Sequence, residues 1–128
     1  MAPERTIYVV DDDADVRRSL ALMLEVSGYC VTAFDGGRAF LSAVDGLAPG
    51  TVLLDLRMQG MDGMKVLSEL ATRKISWPAI VMTGHGAPEV GREVATAGAF
   101  AFIEKPFDEL LLFRCIEDAW SGSGGAAA

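Results

Sequence analysis

The sequence predicts an α/β fold: a doubly wound, five-stranded parallel sheet with five helices on its two faces. Three observations carry this reading. Short runs of branched and aromatic apolar residues recur along the chain, each too short to make a helix. Longer segments with apolar residues at helical spacing separate them. The apolar runs also end in polar residues: Asp11 and Asp12 after Ile7 to Val10, Asp55 after Val52 to Leu54, Thr83 after Ala79 to Met82, and Glu104-Lys105-Pro106 after Ala101 to Ile103.

Thr6 to Val10 is β-branched and aromatic and reads as a strand buried on both faces. Asp13 can cap the helix that follows, in which Val16, Leu20, Met23 and Leu24 recur at helical spacing until Gly28 stops it. Tyr29 to Phe34 alternates weakly and reads as the second strand. Asp35-Gly36-Gly37 then leads to a short helix from Arg38 to Val44 with Phe40, Leu41 and Val44 inward, and Pro49-Gly50 marks the next turn.

Thr51 to Leu54 is the third strand, and a loop with Gly60, Asp62 and Gly63 opens a helix carrying Met64, Leu67, Leu70 and Ala71 on one face. Pro78 opens the fourth strand. After Thr83-Gly84-His85-Gly86 comes a helix from about Pro88 to Ala97, ended by Gly98, and Ala101 to Ile103 is the fifth strand. Phe107 to Trp120 is the last helix, with Leu110, Leu111, Phe113, Ile116 and Trp120 as its expected core stripe. Strands alternating with helices imply right-handed crossovers and a parallel sheet, here of flavodoxin-like order. The expected organisation is one domain over 1–120 and a flexible Gly/Ser/Ala tail over 121–128, with no internal repeat.

With 128 residues, 51% of them hydrophobic, and a mean hydropathy of +0.30, the chain can bury a sizeable core. A net charge of -7 repels the phosphate backbone and argues against direct nucleic-acid binding. No apolar stretch approaches the roughly 20 residues that span a bilayer, and Met1 to Arg5 lacks signal-peptide architecture, so a cytoplasmic location is expected. Cys30 and Cys115 are not closely spaced and are expected as small core residues.

In an open parallel sheet, ligands bind outside the carboxyl ends of the strands, so the polar terminators would converge on one rim. Three carboxylates there suit either a hard divalent cation or a raised carboxyl pKa, and the cation fits better, because Mg²⁺ takes oxygen ligands and usually partners a phosphate. An ionised Asp55 can accept a phosphoryl group when cations neutralise the transferring oxygens, and it needs no general base. Lys105 and Mg²⁺ would supply that neutralisation, and Thr83 a hydroxyl donor. Without the metal, mutual repulsion should raise at least one carboxyl pKa.

The wording Val9-Val10-Asp11-Asp12-Asp13, Leu54-Asp55-Leu56-Arg57-Met58, Met82-Thr83-Gly84-His85-Gly86 and Ile103-Glu104-Lys105-Pro106-Phe107 resembles the receiver domain of two-component response regulators, over essentially Thr6 to Trp120. It is most similar to the FixJ-like group, whose members often join this domain to a DNA-binding helix-turn-helix; these 128 residues hold no such second domain. The resemblance implies that Asp55 accepts a phosphoryl group from the histidine of a sensor histidine kinase. It also implies that Asp11, Asp12, Asp55 and the backbone carbonyl of Arg57 hold Mg²⁺.

Thr83 and Phe102 would be the switch pair, remodelling the face of the fourth helix, fifth strand and fifth helix toward an output protein or domain, with a phosphorylation-dependent dimer as one outcome. Such a domain is no enzyme beyond its own phosphorylation and dephosphorylation. His85, two positions past Thr83, is a candidate modulator of the hydrolytic water. Gln59 departs from the resemblance, since the family commonly has proline there, and it restores a backbone N–H and a looser φ.

Two other classes share parts of this pattern. A dehalogenase-type phosphatase also uses a strand-end Asp and Mg²⁺ but needs a second Asp two positions on, where Arg57 stands. A flavin carrier wants a hydroxyl-rich phosphate loop after the first strand, and Asp11 to Asp13 would repel that phosphate. Within the resemblance, a stand-alone regulator and the input domain of a FixJ-like transcription factor both stay open.

Overall fold

A computed structural model describes residues 5–84, 88–105 and 108–125, with the backbone alone at 88 and 122–125. The chain runs β1 (Thr6–Val10), α1 (Ala14–Val26), β2 (Cys30–Phe34), α2 (Gly37–Ala43), a 3₁₀ turn (Val44–Gly46), β3 (Thr51–Asp55), α3 (Gly63–Thr72), β4 (Ala79–Thr83), α4 (Pro88–Thr96), β5 (Ala101–Glu104) and α5 (Glu109–Gly125). All pairings are parallel, in the order β2-β1-β3-β4-β5. The expected doubly wound sheet with five helices is what forms.

Alternate side chains of each strand point to opposite faces, and this splits the core in two. Tyr8, Val10, Val52, Leu54, Ala79 and Val81 pack with Phe40, Leu41, Val66, Leu67, Leu70 and Val94 of α2, α3 and α4. Ile7, Val9, Leu53, Ile80, Met82 and Ile103 pack with Leu20, Leu24, Leu112 and Ile116 of α1 and α5. Each such large side chain, fully buried, contributes roughly 1.5–3 kcal/mol. The central strands β3 and β4 are buried at every position.

The caps follow local chemistry. Asp13 accepts the N–H groups of Asp15 (2.9 Å) and Val16 (3.3 Å) at the start of α1. Gly28 and Gly98 end α1 and α4 with φ of +99° and +104°.

Several sequence expectations need correction. In α5 the buried stripe is Leu112, Ile116 and Ala119, while Leu110 and Leu111 are 77% and 47% exposed. Four consecutive apolar residues, Leu110 to Phe113, leave the helical phase undetermined; Asp108 sets it by accepting the Leu110 N–H (2.9 Å) and turning Leu112 inward. Trp120 and Phe113 are only half-buried, Phe113 stacking on Tyr29. Cys30 is exposed because β2 is an edge strand, and Cys115 is half-buried. In α3, Ala71 is exposed and Val66 takes its place inward.

At the amino ends of the strands, Trp77 and Trp120 line one cavity of about 240 Å³ with Pro49, Gly50 and Pro78. Nearby, the Arg5 guanidinium lies 5.3 Å from the Trp120 ring and pairs with Glu117, which also accepts the Tyr29 hydroxyl at 2.5 Å. Among the described residues no helix is long and apolar enough to cross a membrane.

Candidate functional site

Strand register brings the polar terminators together. Val10 pairs with Leu54, so Asp11, the next residue, is level with Asp55; Asp55 in turn pairs with Met82, and Thr83 with Glu104. Asp11, Asp55, Thr83 and Lys105 therefore lie along one rim at the carboxyl ends of β1, β3, β4 and β5.

Asp11 is wholly buried, and each of its carboxylate oxygens accepts a hydrogen bond. Its Oδ1 accepts the Asp13 N–H at 2.9 Å and its Oδ2 the Lys105 Nζ at 3.0 Å. Its carbonyl accepts Arg17 Nη1 at 2.7 Å. Asp12 is exposed, and its Oδ2 accepts the Gln59 backbone N–H at 3.0 Å. Asp55 is 7% exposed; its Oδ1 accepts the Arg57 N–H at 3.3 Å and stands 3.7 Å from Lys105 Nζ.

The loop after β3 is drawn tightly against the strand end. Gly63 donates its N–H to the Leu56 carbonyl at 2.8 Å, and a Cβ there would lie 2.8 Å from the Asp55 carbonyl oxygen, so only glycine lets α3 start this close. Asp62 caps α3 by accepting the Lys65 N–H at 3.0 Å. Met61 N–H closes a tight turn onto the Gln59 carbonyl (3.0 Å) across Gly60, whose φ is +84°.

Burial pushes the Asp55 carboxyl up to about 6, helped by the charge of Asp11 and opposed by Lys105 and the Arg57 N–H. The direction is the one expected of crowded carboxylates, but desolvation outranks repulsion as its cause.

Asp11, Asp12 and Asp55 each offer an oxygen within 4.8 Å of the others. An all-oxygen anionic donor set fits a hard divalent cation such as Mg²⁺ rather than a thiophilic metal. Arg57 follows directly, its side chain exposed. Thr83 is fully buried at the end of β4. Phe102 is half-buried and, like Thr83, lies on the face of the sheet that packs against α4, its ring 3.6 Å from where a Cβ on Gly91 would stand. His85 lies outside the described residues, as do Pro106 and Phe107. Arg17 escaped the sequence reading. Its signal was its place one turn past the Asp13 cap, from which a helical side chain leans back toward the N-terminus.

Comparison with known proteins agrees with this architecture. The model of the response regulator receiver domain matches residues 7–117. The chain is 42% identical over 119 residues to the transcriptional regulatory protein FixJ of Bradyrhizobium diazoefficiens, covering 93% of this chain and 58% of that protein. It is 41% identical over 114 residues to FixJ of Rhizobium meliloti, covering 89% of this chain and 56% of that one. The chain thus spans a little over half the length of these relatives. The crystal structure of FixJ-N superposes with a TM-score of 0.86 at 40% identity, over 92% of this chain and 94% of that one. With a carboxylate-lined rim on a β2-β1-β3-β4-β5 sheet, and a family match across 7–117, the chain belongs to the response regulator receiver domain family, with FixJ-like relatives.

Proposed function

We propose that this receiver domain accepts a phosphoryl group on the Asp55 carboxylate from the histidine of a sensor histidine kinase. The observation that carries the reading is the convergence of three carboxylate oxygens within 4.8 Å of one another beside the Lys105 ammonium, 3.0 Å from Asp11 and 3.7 Å from Asp55. Asp11, Asp12, Asp55 and the Arg57 carbonyl would hold Mg²⁺, which when bound neutralises phosphoryl oxygens during in-line transfer. Lys105 offers a second positive charge to those oxygens, and Asp11 orients it. Asp55 attacks as the ionised carboxylate and needs no general base. Thr83 donates its hydroxyl to the acquired group, and Phe102 on the neighbouring strand follows, changing the α4-β5-α5 face. His85 would modulate hydrolysis.

Arg57, at the position where an Asp-nucleophile phosphatase carries its acid, supports a domain that turns over only its own phosphoryl group. Similarity to FixJ, a transcriptional regulatory protein, supports a cytoplasmic receiver that controls an output protein or domain. The test is intact mass after incubation with acetyl phosphate, with and without Mg²⁺. A metal-dependent gain of one phosphoryl mass, absent in Asp55→Asn, is expected. A gain that persists in Asp55→Asn overturns the assignment, as does no gain in the parent chain even when beryllofluoride replaces the donor and fails to bind.

A further inference from the structure

We propose that the backbone N–H of Gln59 is a positioning donor for the metal-binding carboxylate of Asp12, an inference that rests on the metal reading of the site given above. Asp11 and Asp55 are held by burial and by Lys105, whereas Asp12 is exposed and gains no fixation from packing. A free aspartate there would sample several rotamers, and ordering it on binding a cation would cost entropy. The Gln59 N–H reaches across 47 residues of sequence to Asp12 Oδ2 at 3.0 Å, so the β3-α3 loop pins the side chain that the β1-α1 loop presents.

The donor is itself fixed. Gln59 is held on its other side by the Met61 N–H on its carbonyl at 3.0 Å, in the turn that Gly60 permits. The bond takes one lone pair of Oδ2, and Asp12 keeps an oxygen within 4.8 Å of oxygens of Asp11 and Asp55 while it is made. The bond is therefore compatible with the ligand cluster and does not compete with it. Hydrogen bonds to ligating carboxylates orient them, and losing such a partner typically lowers metal affinity roughly 10–100-fold. The Gln59 side chain takes no part; the acting group is an N–H that every residue but proline supplies.

That chemistry dictates the test. Mg²⁺ binding is measured by calorimetry on the full chain and on Gln59→Pro, which deletes this donor, and Gln59→Ala, which restores it without the amide side chain. Gln59→Pro is expected to bind roughly tenfold more weakly, and Gln59→Ala to recover the parent affinity. Equal or tighter binding by Gln59→Pro overturns the proposal, and so does a loss in Gln59→Ala, which would assign the role to the side chain. A parent chain that binds no Mg²⁺ refutes the metal reading itself.

Should Gln59→Pro not fold, the amide resonance of Gln59 in the parent chain decides. On Asp12→Ala it is expected to move upfield and to exchange faster with solvent. A resonance that stays in place refutes the bond.

Discussion

The Lys105 ammonium stands 3.0 Å from the fully buried carboxylate of Asp11 and so ties the end of β5 to the end of β1, across the ends of the two strands between them. Removing one partner of such a pair leaves the other charge uncompensated in a poorly solvated place. Lys105→Met is expected to cost about 3 kcal/mol of stability, the low end for breaking a buried pair because the lysine is partly exposed. Added Mg²⁺ should raise the melting temperature of the variant more than that of the parent. Thermal denaturation with and without Mg²⁺ checks both; an unaltered melting temperature in the metal-free variant would mean that Asp11 does not depend on this cation.

Asp55 sets a pH dependence of the metal-free fold. Its carboxyl has a folded pKa raised to about 6 from an ordinary 3.8. The folded state thus holds the proton more tightly than the unfolded one, and its contribution is fully present below about pH 4 and lost as pH rises through about 6. Asp55→Asn, which cannot ionise, is expected to be more stable than the parent at pH 7.5 in EDTA, by up to about 3 kcal/mol. The difference should shrink toward zero near pH 4. Urea midpoints at the two pH values test this, and an advantage that does not change with pH would contradict it.

The phase of α5 makes a sharp comparison between neighbours. Leu112 is completely buried and Leu110 is 77% exposed. Leu112→Ala should destabilise by about 2–5 kcal/mol, while Leu110→Ala should stay within about 0.5 kcal/mol of the parent. Equal losses in denaturant unfolding would mean that the helix is rotated from the orientation described.

Gly91 sits inside α4, and a Cβ there would meet the Phe102 ring at 3.6 Å, an ordinary van der Waals distance. Gly91→Ala is therefore expected to stabilise by about 0.5–1 kcal/mol through helix propensity. It should also fill the space beside the ring. A lower melting temperature would show that the ring needs that space in the resting state.

Much of this was legible in the residues. Four of the five strands announced themselves as short apolar runs and the second as a weak alternation, and because the strands are parallel the polar terminators Asp11, Asp55, Thr83 and Lys105 had to fall on one rim. The phase of α5 was not legible, since Leu110 to Phe113 are all apolar and the deciding contact is a cap at Asp108. The exposure of Cys30 was within reach, since the expected strand order already makes β2 an edge strand, but the apolar residues around the thiol pointed inward instead. The grip of Gln59 on Asp12 joins two loops far apart in sequence, so only the folded chain reveals it.

The shared cavity of Trp77 and Trp120 has a practical consequence. Five-residue strands, at roughly 3.3 Å per residue, separate the two ends of the sheet by about 15 Å, and both indoles sit at the end away from the carboxylates. Ultraviolet emission from this chain will therefore register loss of the fold, and a paramagnetic ion at the acidic rim will not quench it by contact. Spectroscopy of the carboxylate cluster calls for a label introduced at that rim, and the native chromophores then serve as an internal control for integrity.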